Sequence, residues 1–125
     1  MTREPTRYLQ NARERLKEAP IEDNIYTDVK PVREALGTAY LAVLEAINAS
    51  LLRKGVTKKE LPRSVEGYRT VLRRHRLAHN GKLLREFESL YDLLHIAGYY
   101  RGLVYNVRVV KDALRAAHAF IEKVG

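Results

Sequence analysis

Apolar positions recur at three- and four-residue steps over most of the chain, the period that lines one face of an α-helix. Tyr8, Leu9, Ala12 and Leu16 trace such a face and predict a first helix over residues 5–19. Pro5 is tolerated at its start and Pro20 ends it. Residues 20–27, Pro-Ile-Glu-Asp-Asn-Ile-Tyr-Thr, are polar and break-prone and predict a loop with no strand. Thr27 or Asp28 then caps a long helix, whose stripe runs through Val29, Val32, Leu36, Tyr40, Val43, Ile47 and Leu51. Arg53 and Lys54 suit its negative end, and Gly55 stops it. A helix of about 27 residues spans roughly 40 Å, the length of a bundle strut. Its small residues Ala39, Ala42, Ala46 and Ala49 allow a neighbour to approach closely.

Residues 56–63 read as a basic connector. Ser64 opens a shorter helix over 64–76 with Val65, Tyr68, Val71 and Leu72 as its apolar side, and Asn80-Gly81 breaks it. Leu83, Leu84, Phe87, Leu90, Tyr91 and Leu94 predict a helix over 81–98, followed by a turn bracketed by Gly98 and Gly102. Asn106 caps a last helix over 107–124, with Val107, Val110, Leu114, Ala117, Ile121 and Val124 on one face. Four main helices with short connections predict a single all-α domain over 1–125, an antiparallel four-helix bundle with the 64–76 helix as an accessory.

Charge sharpens this picture. The net charge is +8, but residues 53–85 carry 11 basic and 2 acidic side chains, while 1–52 carry 7 and 8, and 86–125 carry 5 and 5. The excess therefore sits in one stretch, a pattern that attracts phosphate backbones or an acidic partner. Arg69, Arg73, Arg74, Arg76, Lys82 and Arg85 are the residues expected to make such contacts, with RNA or an acidic protein as partner. The plain alternative is a solvated basic face that keeps the protein soluble.

Several classes of chemistry are excluded by residue type. There are no cysteines, so no disulfide or thiol nucleophile exists. No G-x-S-x-G, Walker or G-x-G-x-x-G motif occurs, and no Glu-x-x-His pair suits a di-metal bundle. No cofactor is expected. His75 and His79 share a helix spacing, but their neighbours Arg73, Arg74 and Arg76 repel a dication, so no metal site is expected. His95 and His118 read as core or boundary residues. The N-terminus lacks the apolar run of a signal peptide, and no stretch of about 18 consecutive apolar residues occurs. The expectation is a cytoplasmic protein without a membrane span.

Arg74-His75-Arg76-Leu77-Ala78-His79 resembles the active motif of the HEPN ribonucleases, which are small helical bundles. An arginine can hold a phosphate bidentately and a histidine can move a proton during 2′-hydroxyl attack, so Arg74 and His79 are the candidate catalytic pair. The later stretch Arg101-Gly102-Leu103-Val104-Tyr105-Asn106, where that family's motif falls, has tyrosine in place of the wanted histidine. Of eight tyrosines, Tyr8, Tyr40 and Tyr91 fall on apolar stripes. Tyr99, Tyr100 and Tyr105 cluster about the glycine turn and are candidates for an exposed patch or homo-oligomer interface.

The order of Arg7-Tyr8-Leu9-Gln10-Asn11-Ala12-Arg13, Ala39-Tyr40-Leu41-Ala42-Val43-Leu44, Ser64-Val65-Glu66-Gly67-Tyr68-Arg69, Phe87, Tyr91-Asp92-Leu93-Leu94-His95 and Gly98-Tyr99-Tyr100 resembles a family of short bacterial proteins that carries a domain-of-unknown-function label. The resemblance spans nearly the whole chain. It implies a four-helix bundle of HEPN-like character and supplies no catalytic residues. The resulting expectation is a non-enzymatic binding module. Two alternatives stand beside it: a metal-independent ribonuclease and a structural homo-oligomer.

Overall fold

The computed structural model describes residues 4–74 and 81–125. Helix α1 (Glu4–Lys17) buries Pro5, Leu9, Ala12 and Leu16, the spacing read from the sequence. It ends two residues earlier than expected. Its last turn closes with Ala19 N–H donating to the Leu16 carbonyl at 3.1 Å, just before Pro20.

A hairpin stands where a loop was expected. Strands β1 (Ile21–Glu22) and β2 (Ile25–Tyr26) pair antiparallel, with Ile21 opposite Tyr26 and Glu22 opposite Ile25. Asp23 and Asn24 between them have φ of 51° and 66°. Two successive left-handed residues make the mirror-image turn that matches strand twist, and Asp and Asn tolerate that conformation better than other side chains. Two residues per strand are too few to show alternation. A two-stranded ribbon is marginal alone, and this one is tied to the segment before the last helix. Tyr26 N–H donates to the Tyr105 carbonyl at 2.8 Å, and Val107 N–H donates to the Asn24 carbonyl at 3.0 Å.

Helix α2 (Val29–Arg53) is the central element. It packs against α1, the last helix and the helical segment at 91–100. Asp28 is its cap, accepting from Lys30 N–H at 3.1 Å, while Thr27 donates to the Pro20 carbonyl. Leu36, Val43, Ile47 and Leu51 are fully buried, as are Ala39 and Ala42, whose small size admits the neighbouring helices. Each large aliphatic side chain buried in this way contributes about 1.5–3 kcal/mol. By length and composition α2 is apolar enough to cross a membrane, with a window of mean hydropathy 1.5, although no run of 18 apolar residues exists. More than half of that window is buried, the profile of a core helix.

A 3₁₀ turn (Lys58–Glu60) interrupts the basic connector. Helix α3 (Val65–Arg74) begins at Ser64, whose Oγ accepts from Gly67 N–H at 3.0 Å. The end of the expected 64–76 helix lies outside the described residues. Helix α4 (Lys82–Leu90) runs straight into a π-helical segment (Tyr91–Tyr100), so the chain stays helical through Gly98. Gly98 is therefore not a turn residue. It is buried, and a Cβ there would sit 2.6 Å from Leu36 Cδ1 and 2.8 Å from the Leu93 carbonyl oxygen. The segment ends with Arg101 N–H donating to the Ile96 carbonyl at 2.9 Å, a wide five-residue turn. Helix α5 (Val107–Val124) starts where Asn106 Oδ1 accepts from Val109 N–H at 3.1 Å, the cap expected from the sequence. The structure is thus mostly helical, and its buried residues form one hydrophobic cluster, with Phe87 and Phe120 among the largest fully enclosed side chains.

Candidate polyanion-binding face

The basic stretch resolves into two kinds of cation. Arg69, on the inner side of α3, is committed to the structure. Its Nε and Nη2 donate to the two Glu88 oxygens at 2.6 and 3.0 Å, and its Nη1 donates to Glu66 at 2.8 Å. The guanidinium also lies 5.5 Å from the centre of the Tyr91 ring. Hydrogen bonds to Glu88 and then Glu66 raise its pKa further above an already high value. Three of the five Arg69 N–H donors are thereby engaged by carboxylates of the protein itself, which weighs against the expectation that Arg69 contacts a phosphate.

Arg73 and Arg74 are exposed in the last turn of α3, and Lys82 and Arg85 are exposed in the first turn of α4. They flank residues 75–80, which are outside the described residues together with the expected contact Arg76, the candidate catalytic His79 and the His75–His79 pair. Neither carboxylate of the 53–85 stretch is bonded to these four cations. Glu60 accepts from Thr57 N–H at 2.9 Å and Thr57 Oγ1 at 2.8 Å, bonds that hold its pKa below the ordinary carboxylate value, and Glu66 is held by Arg69. Glu86, on α4, pairs with Lys123 of α5. Among the described residues, Arg73, Arg74, Lys82 and Arg85 make no ion pair. These four side chains are thus exposed and without a carboxylate partner among the described residues.

The tyrosine cluster has a separate architecture. Tyr91, His95 and Tyr99 lie four residues apart on the π-helical segment and form a ladder. Ring centroids are 5.5 Å apart for Tyr91–His95 and 6.0 Å for His95–Tyr99, and Tyr40 of α2 stacks on His95 at 4.9 Å. His95 is a boundary residue within this ladder. His118 is exposed on α5, contrary to expectation, because it falls just outside the buried stripe that runs through Leu114, Ala117 and Ile121. Tyr99 and Tyr100 are 45% and 69% exposed, with Tyr105 and Leu41 also exposed. Their backbone is fixed by a residue the sequence reading passed over: Arg33 donates to the Tyr99 and Tyr100 carbonyls at 2.8 and 3.0 Å. Gly37 makes room for the Tyr99 ring, since a Cβ there would lie 2.8 Å from Tyr99 Cδ1. No group of three or more potential metal ligands occurs among the described residues.

The profile of a family described as "Domain of unknown function (DUF5618)" matches residues 1–125. A solved structure of a protein of unknown function from Dyadobacter fermentans is similar over 97% of this chain and 90% of that one, with 32% sequence identity and a TM-score of 0.79. No curated protein matches.

Proposed function

The chain belongs to the DUF5618 family, and from that premise we propose that it is a non-enzymatic binding module whose α3–α4 face engages a polyanion, RNA in the first place. The observation that carries the reading is the exposure of Arg73, Arg74, Lys82 and Arg85 with Glu60, Glu66 and Glu86 bonded to other residues. Four exposed cations on two successive helices suit a backbone of repeated charge better than a single buried anion. In this reading the helices form an antiparallel four-helix bundle of HEPN-like character with α3 as an accessory, and the protein works in the cytoplasm. The exposed Tyr99, Tyr100 and Tyr105 support assembly into a homo-oligomer.

Charge reversal separates this reading from a merely solvated face. Arg74→Glu combined with Lys82→Glu should weaken binding of a single-stranded RNA at least tenfold, on the order of 1.4 kcal/mol. Arg69→Met, which removes a cation engaged inside the protein, should leave RNA affinity within about twofold. Equal loss in both variants would contradict the assignment. Cleavage of the RNA, lost in His79→Ala, would move the protein to the ribonuclease class with Arg74 and His79 as its pair.

A further inference from the structure

A second collection of cations lies away from the α3–α4 face, in a part of the chain whose charge count is near neutral. Between α1, the hairpin and α5 is a cleft of about 440 Å³. Its apolar lining consists of the buried Leu16 from α1, Tyr26 from the hairpin and Leu114 from α5, with the exposed Ile21 of the hairpin beside them. Its rim is formed by Arg13 and Lys17 on one side and by Lys111 and Arg115 on the other. The helical period explains the arrangement. Arg13 and Lys17 are four apart and flank Leu16, while Lys111 and Arg115 are four apart and flank Leu114, so each helix offers two cations about one leucine. The hairpin closes one end, and its position is set by the Tyr26–Tyr105 and Asn24–Val107 backbone bonds.

Two of the rim cations have carboxylate partners. Lys17 bonds Glu14 at 3.3 Å and Arg115 bonds Asp112 at 2.9 Å, both exposed pairs within one helix. Such pairs are weak and exchange readily for a better acceptor. Arg13 and Lys111 make no ion pair among the described residues. Four cations against two carboxylates leave an excess of two positive charges beside an apolar lining. Lysine and arginine side chains only donate hydrogen bonds, so the complementary head group must accept them. The volume falls in the range of small-ligand sites.

From this charge and lining we infer that the α1–hairpin–α5 cleft binds a small organic anion with an apolar body, an acyl carboxylate or an equivalent acyl anion. The head lies between Arg13 and Lys111 and the chain lies along Leu16, Ile21 and Leu114. This site is independent of the RNA-binding reading, because the two share no residue.

Octanoate is the direct probe, titrated into ¹⁵N-labelled protein and followed by amide shifts, with acetate and 1-octanol as controls for body and head. Saturable shifts confined to 13–17, 21–26 and 111–115 are expected, with both controls binding at least about tenfold more weakly. Lys111→Glu and Ile21→Asp both change exposed side chains, and each should weaken octanoate at least about tenfold while thermal melting is unchanged. Equal binding of octanoate and 1-octanol, scattered shifts, or binding indifferent to both substitutions would overturn the inference. Co-sedimentation with phosphatidylglycerol vesicles distinguishes the source of the acyl anion. Octanoate binding without co-sedimentation supports a free ligand. Co-sedimentation abolished by Lys111→Glu, with octanoate unable to compete, would overturn the free-ligand site in favour of a lipid surface.

Discussion

At the scale of single residues, the structure separates cations that build the protein from cations that remain available to a partner. Arg69 bridges α3 to α4 and the π-helical segment through Glu88 and Tyr91. Arg69→Met should lower the thermal midpoint, because it leaves Glu88 without its bidentate partner, and a melting curve measures it. Gly98 is a second such residue. Gly98→Ala would push a methyl into Leu36 and the Leu93 carbonyl, and overpacking of this kind costs about 1–3 kcal/mol, readable in a urea titration. The sequence could not separate Arg69 from Arg73, since both are arginines on a short helix in one charge run. What separates them is the position of Glu88, nineteen residues away. The Gly98 misreading has a similar origin: a glycine needed for close packing and a glycine needed for a turn look alike without the neighbouring Leu36.

At the scale of elements, the helical period proved legible wherever it was long. The stripes of α1, α2 and α5 are read from spacing, the Asn106 cap is read from residue type, and residue type leaves the α2 cap between Thr27 and Asp28, of which Asp28 caps the helix. Asn106 does two things at once, since it caps α5 and bridges to Ile25 of the hairpin. Asn106→Ala should therefore cost about 1 kcal/mol for the cap, measured by denaturation, and should increase amide exchange at Tyr26. The hairpin escaped notice because its specificity lies in two residues, Asp23 and Asn24, and in long-range bonds to Tyr105 and Val107. The π-helical segment escaped because its wider turn changes the helical period by less than one residue. The Tyr91–His95–Tyr99 spacing of four was the available signal, and only the ring ladder gives it meaning. The α1–α5 cleft was hidden from a count by blocks, because its four cations come from two blocks whose basic and acidic totals nearly cancel.

At the scale of the whole molecule, aromatic side chains set an alkaline limit. Burial is the main cause raising the phenol pKa values of Tyr40, Tyr68 and Tyr26 above the ordinary value of 10.0. The folded state thus favours the neutral phenol. Its contribution is fully present below pH 10 and is lost as pH rises from there through the raised folded values. Stability should fall steeply above about pH 10, and Tyr40→Phe should make that fall shallower, as shown by denaturation midpoints across pH 8–11. The global charge supports a different prediction, which belongs to the surface. The four exposed cations at the α3–α4 connection should release counterions on meeting a phosphate backbone. Four contacts to a single strand give a slope of about −3 for log affinity against log salt.

That slope is measured by fluorescence anisotropy of a labelled single-stranded RNA titrated with the protein at several salt concentrations, followed by a denaturing gel of the same samples. The account predicts intact RNA, a slope of about −3 and its reduction by about 0.7 for each of Arg73, Arg74, Lys82 or Arg85 replaced by glutamine. No binding at low salt, or a slope that these substitutions leave unchanged, would contradict it.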